Sequence, residues 1–233
     1  TLLHDDVVDE SDERRGQKTA NLVFGNQASV LVGDFLFSRS FQMMVDDGNL
    51  DILRILSDAS AVIAQGEVMQ LTTANNIETS MDDYLEVIKA KTAALFAAAC
   101  EVGPVITSQD LETTRNIAEY GMNLGIAFQI VDDILDYSAN QEKLGKTVGD
   151  DFREGKMTAP VIYAIAKAND EEREFWQRTL GDKNQNEDDL KRAFALIEKT
   201  QSMKHSKILA QNYADKALEN IQSAPDSDLK ELM

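Results

Sequence analysis

The sequence predicts an all-α fold, a single helical bundle, and three observations carry that expectation. Its 233 residues include only 3 prolines and 12 glycines, so few positions break a helix. Ala, Leu, Glu, Asp, Met and Gln outweigh β-branched and aromatic residues, a helix-forming composition. Apolar positions recur at helical spacing almost throughout, and no strand-like alternation lasts more than a few residues. The length suffices for one sizeable core, and no tandem repeat divides it.

The elements are expected in the following order. A first helix covers about residues 1–13 and reads as already under way at Thr1, so a preceding segment is expected. A turn follows at Gly16–Lys18. A long apolar helix runs near Asn26–Val45 until Asp46-Asp47-Gly48 stops it, and another spans about Leu50–Thr72. Ser80 begins the next, with Asp83 three residues on as a loose capping box, and this helix reaches Cys100 before Gly103-Pro104 ends it. Ser108 is expected to cap the longest helix, about Gln109–Tyr137. Residues 139–157, "ANQEKLGKTVGDDFREGKM", are polar and interleave Gly145, Gly149 and Gly155 with Lys143, Lys146 and Lys156, which predicts a long functional loop. Shorter amphipathic helices complete the chain, one over roughly Gln201–Ser223 before Pro225.

With 41 acids against 23 bases the net charge is −18, which argues against nucleic acid and anionic membranes as partners. The longest strictly apolar stretch, Ala93–Cys100, is far shorter than the ~20 residues of a membrane span. The one cysteine, Cys100, lies in an alanine-rich apolar segment and reads as a small core residue in a reducing, cytoplasmic compartment.

Two segments stand against this background. "LLHDDVVDES", residues 2–11, and "FQIVDDILDY", residues 128–137, each set three aspartates in an apolar run with the same spacing: Asp5, Asp6 and Asp9, then Asp132, Asp133 and Asp136. On a helix at about 100° per residue, Ala127, Ile130, Val131 and Ile134 fall on one side, and Gln129, Asp132, Asp133 and Asp136 on the other. One such cluster alone reads first as a solvated acidic face. Two identical copies favour metal, because carboxylates one turn apart repel and a hard divalent cation such as Mg²⁺ removes the repulsion. Arg14 and Arg15 follow the first cluster and suit bidentate phosphate recognition. Lys91 shares a helical stripe with Tyr84, Ile88 and Leu95, so it is either a snorkelling core-edge lysine or a cation aimed into a cavity. His4, beside the acids, is read as a packing residue or a support behind the metal ligands.

These residues carry a resemblance. Together with "GNQASVLVGDFLFSRSFQMM", "QGEVMQL", "KTAALF" and "LGKTVGDDFREGKMTAP", the doubled DDxxD resembles the trans-type polyprenyl diphosphate synthases, most of all those that make octaprenyl chains for quinones such as ubiquinone. The likeness extends over essentially all 233 residues, which it marks as one synthase domain. It implies the isoprenoid synthase helical bundle around a central cavity, with the two aspartate helices facing each other. It also implies a Mg²⁺-dependent prenyltransferase that joins an allylic diphosphate head-to-tail to isopentenyl diphosphate, usually as a homodimer. By the same resemblance Asp5, Asp9 and Asp132 are the principal metal ligands, with Asp6, Asp133 and Asp136 in support. Arg14, Lys91 and Lys146 would grip the allylic diphosphate, with Lys156 as a helper, and Arg15 would face isopentenyl diphosphate. Thr92 and Gln129 would lie near the allylic cation. The family's upstream basic motif is not within residues 1–233, and the last helical segment is short, so the sequence is expected to be part of a longer chain.

Three other readings compete. A class I terpene cyclase normally carries a mixed second metal motif and an aromatic pocket, whereas here the second DDxxD is intact and aromatics are 6%. A non-catalytic partner subunit tends to lose aspartates, and none is lost here. An acidic helical scaffold or Ca²⁺-binding protein would leave the basic residues unexplained.

Overall fold

The structure is a computed structural model that describes residues 1–138 and 149–231. Helices dominate, and two compact units can be distinguished, residues 1–54 and, of the described residues, 55–138 with 149–231.

The first unit contains α1 (Leu2–Val8), a two-stranded hairpin of β1 (Glu13–Arg14) and β2 (Gln17–Lys18), α2 (Ala20–Phe24) and α3 (Asn26–Asp47). The expected helix over 1–13 is thus shorter. Asp9 caps α1 with its N–H on the Asp5 carbonyl, and Glu10 at φ 50° then takes the chain out of the helix. Arg15 and Gly16, at φ 54° and 74°, form the hairpin turn, and positive φ at both central residues matches the twist of a two-residue hairpin. α3 ends where expected, at a left-handed Gly48. Of its 22 residues only Ser29 and Gly33 are buried. Ser29 Oγ donates to the Leu3 carbonyl at 2.9 Å, and a Cβ on Gly33 would sit 2.4 Å from His4 Nε2. His4 is therefore a packing residue, its Nε2 3.0 Å from the Val30 carbonyl and 3.2 Å from Asp34 Oδ1.

The boundary between the units falls within α4 (Leu50–Thr73). In the second unit the Ser80–Asp83 capping box forms as read and opens α5 (Met81–Ile88). One π-helical turn, Lys89–Ala93, joins it to α6 (Ala94–Ile106). Pro104 does not end this helix. It lies in the last turn, where its missing N–H costs only the bond to the Cys100 carbonyl, and the helix runs on to Ile106. Ser108, at φ 53°, belongs to the turn that closes α6, so Asp110 rather than Ser108 caps α7 (Leu111–Asp136), accepting from Thr113 N at 2.7 Å.

Beyond the undescribed residues, α8 (Asp150–Glu154) replaces the expected loop over part of 139–157, bracketed by left-handed Gly149 and Gly155. Then come α9 (Ala159–Ile165), α10 (Asp170–Trp176), a second π turn at Gln177–Gly181, α11 (Asp189–Lys199), α12 (Ser202–Asn220) and α13 (Asp228–Glu231). α7 packs against α6, α9 and α12. Gly121 and Gly125 let α6 approach closely, since a Cβ on either would come within 2.6 Å of the backbone of Phe96 or Ala93. The core gathers around Trp176, Phe152, Ile126, Ile130, Leu180 and Ile197, all essentially inaccessible to solvent.

Candidate active site

The π turn sets the geometry of one half of the site. Before it, Tyr84, Val87 and Ile88 are buried; at its end and beyond it, Ala93, Ala94 and Ala98 are. The step from Ile88 to Ala93 is five residues instead of four, which breaks the single stripe expected from Tyr84 through Leu95. Leu95 is accordingly exposed. Lys91 and Thr92, inside the turn, are rotated to the core edge, and such turns are frequent at functional sites. Two glycines clamp the turn: a Cβ on Gly66 of α4 would stand 2.6 Å from Lys91 N, and one on Gly125 of α7 2.6 Å from Ala93 Cα. Next to Gly66, Glu67 receives the Lys91 ammonium at 2.9 Å.

Thr92 is joined to the second aspartate motif. Its Oγ1 donates to Gln129 Oε1 at 2.9 Å, and Gln129 Nε2 donates to Asp133 Oδ1 at 2.8 Å. The second Asp133 oxygen accepts from the Tyr84 hydroxyl at 2.6 Å. Asp133 is buried, not on the face opposite Ile130 and Ile134. At about 100° per residue it lies only ~60° from Ile130, within the arc that α9 and α5 cover, while Val131 falls on the other edge and is exposed. Asp132 is exposed. Asp136 serves α8: its carboxylate accepts the backbone N–H groups of Asp150 and Asp151, at 3.2 and 3.1 Å, where a helix N-terminus favours negative charge.

Burial pushes the Asp133 carboxyl up to about 7, against the hydrogen bonds from Tyr84 and Gln129 that favour its ionised form, and Asp132 adds repulsion. Asp136 is raised by burial despite its two N–H donors, and Asp151 is raised well above the usual range by burial and by Asp133. Lys156 partly offsets this charge, its Nζ 3.4 Å from Asp151 and 2.6 Å from Glu154. The sign of the pH effect follows. The unfolded Asp133 ionises near 3.8, while the folded group keeps its proton to about 7. Its contribution to stability is therefore intact below the lower value and is lost as pH rises through the upper one. Chelator-treated protein is expected to melt at progressively lower temperature across that window, and Asp133→Asn should flatten the slope. An equal slope in both proteins would refute the assignment.

In the first unit Asp6 is buried, and Arg14 Nε and Nη2 each lie 2.7 Å from its Oδ1. Asp5 and Asp9 remain partly exposed, one helical turn apart. Arg15 is exposed at the hairpin tip. Lys146 lies outside the described residues.

The six aspartates thus differ in kind. Asp6, Asp133 and Asp136 have oxygens committed to Arg14, to Tyr84 with Gln129, and to the start of α8. Asp5, Asp9 and Asp132 have the exposure and the hard oxygen donors that suit a divalent cation. Among the described residues no three His, Cys, Asp or Glu side chains come together closely enough to hold a metal by themselves. Sequence reasoning missed Tyr84, Glu67 and Asp151 as parts of the site. The signals were a tyrosine on the Lys91 stripe, an acid within "QGEVMQL", and an acid pair after Gly149.

Comparison with known proteins gives a consistent result. Residues 1–197 match the polyprenyl synthetase family. The chain is 43% identical over 233 residues to octaprenyl diphosphate synthase of Escherichia coli, covering 100% of this chain and 72% of the relative. A decaprenyl diphosphate synthase structure from Rhodobacter capsulatus superposes with a TM-score of 0.94 at 51% identity, over 99% of this chain and 71% of that one. A polyprenyl synthase from Caulobacter crescentus, solved with calcium and isoprenyl diphosphate, matches with a TM-score of 0.94 at 49% identity, over 99% and 70%.

Proposed function

The chain belongs to the polyprenyl synthetase family, and from that premise we propose how its residues divide the work of a Mg²⁺-dependent condensation. It is a long-chain trans-polyprenyl diphosphate synthase, a prenyltransferase that elongates an allylic diphosphate with isopentenyl diphosphate. The observation that carries the residue assignments is the hydrogen-bonded line from Thr92 through Gln129 to Asp133, beside Lys91, which unites two motifs 37 residues apart.

Asp5 and Asp9, and separately Asp132, would supply carboxylate oxygens to Mg²⁺, with Asp6, Asp133 and Asp136 holding their helices and neighbours in place. When bound, Mg²⁺ neutralises charge that builds on the departing diphosphate. Lys91, Arg14, Lys156 and Lys146 offer N–H donors to the allylic diphosphate oxygens, and Arg15 to isopentenyl diphosphate. Lys91 reaches a phosphate by leaving Glu67, a partly exposed pair that is weak enough to exchange. Thr92 and Gln129 set oxygen atoms near the allylic carbon as its bond to diphosphate breaks. The double bond of isopentenyl diphosphate attacks that carbon, and a proton is lost to the released diphosphate. No side-chain nucleophile is required.

We read residues 1–233 as one synthase domain of a homodimer. The exposed apolar side chains of α3, among them Leu31, Phe35, Leu36, Met43 and Val45, support the dimer, since monomers rarely leave so many in water along one helix. Among the described residues no helix is long and apolar enough to cross a membrane, and we place the enzyme in the cytoplasm. Its product is read as octaprenyl diphosphate, for quinone side chains such as that of ubiquinone.

Incubation with Mg²⁺, an allylic diphosphate and labelled isopentenyl diphosphate, followed by chromatography, tests these assignments. Long-chain diphosphates are expected. A hydrocarbon would indicate a cyclase, and no product a non-catalytic subunit. Mg²⁺ should also raise the melting temperature; no shift would remove the metal assignment. Lys91→Met is expected to keep the fold, because the methionine stem packs on the same core edge, and to raise KM for the allylic substrate about tenfold, the loss of one charge-assisted contact. Unchanged kinetics would mean that Lys91 is only a snorkelling side chain.

A further inference from the structure

Four side chains on three helical segments form one unbranched hydrogen-bonded line: Tyr84 on α5, Asp133 and Gln129 on α7, and Thr92 in the π turn. Its polarity follows from what each group can do. Tyr84 is buried, and desolvation followed by the charge of Asp133 raises its phenol well above the ordinary value, so the hydroxyl keeps its proton and donates. Above about pH 7, where Asp133 is ionised, its carboxylate only accepts, and each oxygen takes one donor, Tyr84 at 2.6 Å and Gln129 Nε2 at 2.8 Å. With its NH₂ turned to Asp133, Gln129 must present Oε1 to Thr92. The single hydroxyl proton of Thr92 is then spent on that oxygen at 2.9 Å, and what remains on Thr92 Oγ1 is lone pairs.

A reversed amide would donate to Thr92 instead and release its hydroxyl proton toward the substrate. Beside a carbon that gains positive charge, that is the wrong end of the dipole. We propose that Tyr84 is a positioning residue for the condensation, holding Asp133 so that Gln129 cannot turn over and Thr92 keeps its acceptor face outward. The inference rests on the assignment of Thr92 and Gln129 to the allylic carbon. Packing does not account for the hydroxyl. The Tyr84 ring alone fills its place in the core cluster to which Ile88 and Ile130 also belong.

Tyr84→Phe keeps that ring and removes the donor. In the purified enzyme it is expected to lower kcat about tenfold, the worth of one ~1.4 kcal/mol orienting contact, with KM for the allylic diphosphate within about twofold, since Tyr84 does not touch it. A purely structural tyrosine would reduce active enzyme alike in any background. The decisive measurement is therefore a double-mutant cycle: in a Thr92→Val background Tyr84→Phe should have no further effect on kcat. An unchanged kcat, an equal loss in both backgrounds, or a rise in KM alone would overturn the proposal. If Tyr84→Phe does not fold, Asp133→Asn reads the same coupling, because its amide lets Gln129 turn over, and its effect on kcat should likewise shrink in the Thr92→Val background; additivity there would overturn the proposal. A wild-type enzyme that forms no condensation product would bring down the functional reading and this inference with it, whereas an active wild type with an unaffected Tyr84→Phe would bring down the inference alone.

Discussion

Replacing Asp9 or Asp132 with alanine is expected to lower kcat by about 10²–10³-fold, the scale seen when one preorganised electrostatic partner is removed from a transition state, while chelator-treated protein melts at the wild-type temperature or slightly above. Both carboxylates are at least partly exposed, and Asp9 caps α1 through its backbone N–H, which alanine retains. Removing either also removes repulsion from the acids beside it. Asp6 is the internal contrast. Its buried carboxylate holds Arg14 at 2.7 Å, so Asp6→Ala should lower the melting temperature as well as activity. Steady-state kinetics with thermal melting, with and without Mg²⁺, separates the two classes. Near-normal turnover in Asp9→Ala or Asp132→Ala would sink the metal assignment.

The second large effect is expected at a glycine, which carries no charge of its own. Gly66→Ala would put a methyl group 2.6 Å from Lys91 N and 2.9 Å from the carbonyl carbon of Ala90, so the π turn must shift. Overpacking of this kind costs about 1–3 kcal/mol. Displacing Lys91 and Thr92 by as little as ~1 Å is expected to lower kcat by up to ~10²-fold. Gly125→Ala presses on the same turn from α7 and should behave alike. Gly103→Ala, also in a helix but with nothing within 4 Å of the added Cβ, should leave activity unchanged and the fold no less stable. Equal activity in the Gly66 and Gly103 variants would show that the clamp does not position the site.

The all-α class and most helices were legible because each depends on local rules: apolar spacing, the Ser80–Asp83 box and the Gly48 stop are encoded within a few residues. The misreadings are local patterns overruled by neighbours. Pro104 looked like an end and is only a weak last turn, and Ser108 lost its cap to Asp110 because it was already serving the end of α6. The hairpin escaped notice because two-residue strands leave no alternation to read; only positive φ at Arg15 and Gly16 produces it.

The sequence by itself determined which chemistry is present: two triplets of aspartate, the cations near them, and the Thr92 and Gln129 pair, since identity and spacing are properties of the chain alone. Spacing alone did not rank the aspartates, which are chemically identical and identically spaced in the two motifs; the family resemblance did. The tertiary structure shows their surroundings: Asp6 and Asp133 are buried, Asp5 and Asp9 partly exposed, and Asp132 exposed. The π turn, visible in no local pattern, brought Thr92 to Gln129, and packing of α5 on α7 placed Tyr84 against Asp133 across 49 residues. Burial sets how costly it is for a carboxylate to carry its charge, and it is supplied by residues remote in sequence.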